Sequence, residues 1–89
     1  MNKERRSTLA DIIDELTSLK ERIEDQRSKL DDVISQETEA IENVPENLQD
    51  SDRFVAMQEN CDNMETAAGY IDDALDNLEQ AIVELQEIE

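Results

Sequence analysis

The sequence predicts an all-α fold: an antiparallel two-helix hairpin of the coiled-coil type, dimerising into a four-helix bundle. Three observations predict it. Two long apolar repeats alternate in steps of three and four, a single proline separates them, and aromatic residues make up only 2% of the 89 positions. With 37% apolar residues, one Gly, one Pro and one Cys, a disulfide scaffold, a β-rich fold and a conventional globular core are all disfavoured. One domain is expected over 1–89, with helix one at about 4–43, a turn at about 44–51 and helix two at about 52–88.

The first repeat reads Leu9, Ile12, Leu16, Leu19, Ile23, Gln26, Leu30, Val33, Glu37, Ala40 and Val44, broken only by Gln26 and Glu37. With Leu9 at heptad position a, this is an a/d seam along a whole helix. Pro45 ends it, because proline lacks an amide proton and clashes with the preceding turn. VPENLQDSDR is then the connection, and Asp50 or Ser51 is the expected cap of the next helix. The second repeat reads Phe54, Met57, Cys61, Met64, Ala68, Ile71, Leu75, Leu78, Ile82 and Leu85. Two runs of matched length joined by a short link fold back on each other. Setting Val44 opposite Phe54 places Leu30 near Ala68, Ile23 near Leu75, Leu16 near Ile82 and Leu9 beside the C-terminus. The same register brings two opposite-charge pairs together at the e positions, Lys20 with Glu79 and Arg27 with Asp72.

Two further apolar columns fall outside this seam. Helix two carries Ala67, Ala74, Ala81 and Ile88 at position g; helix one carries Ile13, Ile34 and Ile41 at position e. On opposite edges of an a/d seam both would stay partly wet, so these seven residues are the expected homodimer interface. A hairpin alone also encloses little core to set against conformational entropy. The competing reading gives one of the columns to a different protein.

Charge is the loudest feature, with 25 acidic against 8 basic residues and a net charge of −17. The absence of histidine removes imidazole triads, His-containing zinc sites and the Glu-x-x-His di-iron box. No enzyme activity, cofactor or metal is expected. The acids around the turn lack the order of a calcium loop, and paired carboxylates acting as acid and base need a concave dry pocket that two rods seldom make. No apolar run is long enough to cross a membrane and the N-terminus lacks a signal-like segment, so a soluble cytoplasmic protein without membrane contact is expected. Cys61, alone at an a position, reads as a small buried hydrophobe, with a symmetric interchain disulfide as the alternative.

Residues 54–89 hold ten acids and no base. Glu65, Asp72, Asp73, Asp76 and Glu79, continued by Glu84 and Glu87, recur in steps of three, four and seven, and are the candidate partner-binding carboxylates. Gly69 and Tyr70 join them as a possible packing contact, since a mid-helix glycine costs about 1 kcal/mol relative to alanine and invites a compensating close approach. The alternative for Tyr70 is that it lies back over the bundle edge. For the acids it is plain solvation, although a small domain stays soluble with a net charge of only about −2 to −8.

The turn NVPENLQDSDR, with Asn43, Pro45, Glu46, Leu48, Gln49, Ser51 and Arg53 followed by a Met-containing acidic helix, resembles a pattern in small, largely uncharacterised acidic helical proteins of Gram-positive bacteria, their phages and mobile elements. The resemblance names no activity but implies a mobile-element origin, a setting in which small acidic proteins antagonise host nucleic-acid-binding machinery. The expected function is therefore an acidic interaction protein that blocks the cationic groove of a basic host protein, such as a CRISPR effector or defence nuclease, as a DNA mimic. Ten acids over ~54 Å of helix give one per ~5 Å, against one per ~1.7 Å for duplex DNA. One helix is thus a dilute strand, and direct nucleic-acid binding is opposed by the same charge. The alternative is a structural coiled-coil adaptor or assembly module whose acids only solvate it.

Overall fold

In a computed structural model describing Met1–Glu89, the chain forms two helices and one short 3-10 turn: α1 over Lys3–Glu42, the turn at Glu46–Leu48 and α2 over Asp52–Gln86. The helices pack as an antiparallel hairpin about 70 Å long and 15 Å across. Between Asn2 and Val44 there is neither Gly nor Pro, so nothing interrupts α1. Asn2 caps it, its side-chain oxygen accepting from the Arg5 amide at 2.9 Å. Ser51 caps α2 in the same way, accepting from the Phe54 amide at 3.2 Å. The second helix stops at Gln86, two residues short of its expected end.

Asn43, Pro45, Leu48, Gln49 and Ser51 of the turn pattern each have a structural task. Asn43 closes α1, its amide donating back to Glu39 and its ψ near zero. Pro45, at φ −57°, leaves the helix and accepts from the Leu48 amide at 2.9 Å. The Gln49 side chain donates to the Val44 carbonyl at 3.4 Å, and the Ser51 amide donates to Leu48. The Asn-aliphatic-Pro-Glu-x-Leu-Gln-x-Ser signature thus encodes a connection between helices.

The register is the one set by the apolar repeats: Lys20 meets Glu79 and Arg27 meets Asp72. The rotation of α1 about its own axis is different. Its half-buried residues are Leu9, Ile13, Leu16, Lys20, Arg27, Leu30, Ile34, Glu37, Thr38 and Ile41, with Val44 just beyond its end, mostly positions a and e. The d residues Ile12, Leu19 and Val33 are exposed, Val33 by 48%, and so is Ile23 at position a, by 36%, against its expected place in the seam. The expectation that Ile13, Ile34 and Ile41 flank the seam therefore needs correcting, because they lie half-buried within it. Ile13 shares a concavity with Leu85 and Gln86, and Ile41 one with Gln58 and Cys61. The physical reason is the e column itself. Three isoleucines and the long stems of Lys20 and Arg27 cover more apolar surface than a d column containing Gln26 and Ala40.

On α2 the seam is a/d as expected. Phe54, Cys61, Ala68 and Ile82 are its four buried residues, and α1 has none. Cys61 is buried with its sulfur 3.6 Å from the Thr38 hydroxyl, as a small hydrophobe would be. Ile82, 5% exposed, should be the costliest seam residue to truncate. Ile82→Ala is expected to destabilise the hairpin by about 2 kcal/mol or more in a thermal melt, whereas Val83→Ala, on the exposed side of the same turn, should stay within about 0.5 kcal/mol.

Candidate interaction faces

The rotation of α1 gives the hairpin two unlike edges. On one, the e columns of both helices meet, and two cations each bridge two carboxylates. The Lys20 ammonium lies 3.0 Å from both Glu24 and Glu79. The Arg27 guanidinium forks onto Asp72, Nε donating to Oδ1 at 2.9 Å and Nη2 to Oδ2 at 3.3 Å, while Nη1 bonds Asp31. The bond to Glu24, followed by that to Glu79, holds the Lys20 ammonium above its ordinary pKa of 10.5. The bonds to Asp72 and then Asp31 raise that of Arg27 in the same way. Because the cationic form is favoured in the fold, its stabilisation is complete below pH 10.5 and is lost as pH climbs through the raised value.

These bridges divide the candidate acids. Asp72 and Glu79 are engaged within the hairpin, whereas Glu65, Asp73, Asp76, Glu84 and Glu87 are exposed and have no ion-pair partner. Around α2 the carboxylates are segregated. Of the ten acids from Phe54 onward, Glu59, Asp62, Glu65, Asp72, Asp73, Asp76, Glu79 and Glu87 occupy positions e, b and f, with no base among them. Positions c and g hold Arg53, Ala56, Asn60, Asn63, Ala67, Tyr70, Ala74, Asn77, Ala81 and Glu84, a single acid. Glu84 thus leaves the anionic stripe in which its spacing alone had placed it.

Gly69 and Tyr70, adjacent in sequence, point about 100° apart and part company in the same way. Gly69 lies in the b column between Asp62 and Asp76; Tyr70 lies in the c column between Asn63 and Asn77. Tyr70 is 72% exposed and does not fold back over the hairpin edge. A methyl group at Gly69 would meet nothing within 4 Å, so the hairpin itself has no need of a glycine there.

The other edge carries no ion-pair ladder. There α1 presents its d column, Ile12, Leu19 and Val33, beside the g column of α2, Ala67, Ala74 and Ala81, all exposed. Because the e columns of both helices meet on the first edge, the d column of α1 and the g column of α2 share the other; Ile88, past the end of α2, borders both Ile12 and Ile13 at the open end. The apolar repeat assigns Ile12, Leu19 and Val33 to the closed seam; the a/e packing of α1 exposes them. The signal that could have found them is that positions a and e of α1 also alternate by four and three.

No helix is long and apolar enough to cross a membrane. No family model, curated protein or solved structure matches the chain.

Two measurements probe these faces. Gly69→Ala should stabilise the fold by about 1 kcal/mol in a thermal melt, because the site is open and the helix gains the better former. Raising the pH above 10.5 should lower helicity measured by circular dichroism, and Lys20→Met should remove the part of that decline due to the Glu24–Lys20–Glu79 bridge.

Proposed function

We propose that the chain is an acidic protein–protein interaction protein whose carboxylate face occupies the cationic nucleic-acid-binding groove of a basic partner protein, in the manner of a DNA mimic. The observation that carries this reading is the segregation of charge on α2: eight acids and no base on one side, one acid on the other. Carboxylates needed only for solubility have no reason to collect on one side, or to exclude every base from residues 54–89.

A second observation supports it. Neither helix has a base in its last turn, and acids stand there instead, Glu39 and Glu42 on α1 and Glu84 on α2. The negative end of a helix macrodipole disfavours each such acid by roughly 0.3–1 kcal/mol. The stability of the hairpin therefore does not account for the acidity of the chain, although Glu39, Glu42 and Glu84 themselves lie off the e, b and f face of α2. Displacing counterions from an Arg/Lys groove would gain the acids of that face the salt-sensitive free energy that phosphates gain. The turn's resemblance to proteins of phages and mobile elements suggests a host target such as a CRISPR effector or defence nuclease, encountered in the cytoplasm. The open apolar edge favours a second reading, a structural coiled-coil module, in which the acids only solvate an assembly component.

With the chain as bait, the captured host protein should be basic, should bind nucleic acid and should lose it competitively to the chain. Asp73→Asn together with Asp76→Asn should weaken that binding without unfolding the hairpin, since both acids are exposed and unpaired, and should reduce the log–log salt slope by about 2. Unchanged binding with a flat salt dependence would favour the structural module.

A further inference from the structure

The hairpin leaves one long apolar edge uncovered, and we propose that a second copy of the chain covers it, packed turn to end about a twofold axis to make a four-helix assembly. The edge is built from Ile12, Leu19 and Val33 on α1 and the alanines Ala67, Ala74 and Ala81 beside them on α2. It faces away from the e, b and f acids of α2, so the docking of a second copy and the use of those acids are independent.

Area argues for an occupant of this size. A compact monomer of 10.2 kDa exposes about 5,300 Å². The hairpin exposes 6883 Å², an excess of about 1,600 Å². Obligate homodimers cover about 1,000–2,500 Å² on each partner, so one copy of the same edge accounts for the excess. No residue of the hairpin falls below 2% exposure, and α1 buries none, whereas a four-helix arrangement would give both helices an inner face.

Charge permits a like-charged copy here and opposes it elsewhere. The columns that form the edge, d and g on α1 with g and c on α2, carry Arg5, Arg22, Lys29 and Arg53 against only Glu15 and Glu84. In a chain of net charge −17, this is the one long surface that is not anionic. The same residues select the orientation. Glu15 and Glu84 lie at one level of the hairpin, as the Lys20–Glu79 pair fixes, and Glu15 and Lys29 sit nearly equidistant from the middle of α1. Turn-to-end packing therefore brings Lys29 of each copy, which also pairs with Asp25 of its own helix at 3.4 Å, to Glu15 and Glu84 of the other, and Ile12 to Val33. Packing turn to turn would instead gather four carboxylates at one level.

Light scattering or native mass spectrometry should return twice the 10.2 kDa chain mass. Leu19→Glu with Val33→Glu should halve the mass while helicity persists, because both positions are exposed in the single hairpin. In a Cys61→Ala background, Arg22→Cys should oxidise to a covalent dimer, because the middle of α1 meets its own symmetry mate only in the turn-to-end arrangement. A monomeric wild-type chain would overturn the proposal and leave the edge to a different protein. A dimer that survives the glutamates would place the interface elsewhere. Loss of dimer with the glutamates but no disulfide at Arg22→Cys would overturn the orientation.

Discussion

The rotation of α1 about its own axis governs the rest of the molecule, and Lys20 and Arg27 hold it. Their stems lie half-buried over the seam while their heads reach across to Glu79 and Asp72. Charged residues at e positions normally fringe a seam; here they lie inside its margin because three isoleucines occupy the same column. Once a and e face α2, the d column must turn outward. The apolar edge and the closed ladder between the helices both take their places from that one choice, while the anionic side follows from the a/d seam of α2.

Register and topology were legible in the sequence because they rest on long-range coincidence. Two repeats of matched length admit one antiparallel alignment, and the Lys20–Glu79 and Arg27–Asp72 pairs agree with it independently. The cap at Ser51 was legible from local chemistry. The rotation was not, because a/d and a/e seams share the same alternation of three and four, and Glu37 interrupts both. Deciding between them requires the relative cover given by Ile13, Ile34 and Ile41 against Ile12, Leu19 and Val33, and hydrophobic spacing alone does not weigh it. The candidate acids follow the same division. Their columns could be counted from the sequence, but the pairing that engages Asp72 and Glu79 within the hairpin depends on where α1 places its cations.

The uneven charge also sets two opposed responses to ionic strength. Within the hairpin, the acids of the last helical turns and the crowded carboxylates of α2 repel each other, and added salt screens them. Toward the proposed cationic partner the same acids would attract, and salt would weaken that contact. Conditions that most favour the fold are therefore those that least favour engagement through the acidic face.

Cys61 has a consequence that concerns time and not equilibrium. Its thiol lies in the seam against Thr38, near the turn, and is the sole cysteine of the chain. Cys61 is 8% exposed at the floor of a surface concavity, so an alkylating reagent attacks it fastest when the helices part at that level. The rate of thiol modification in the native protein thus counts the openings of the turn-proximal half of the hairpin, without a label and without denaturant.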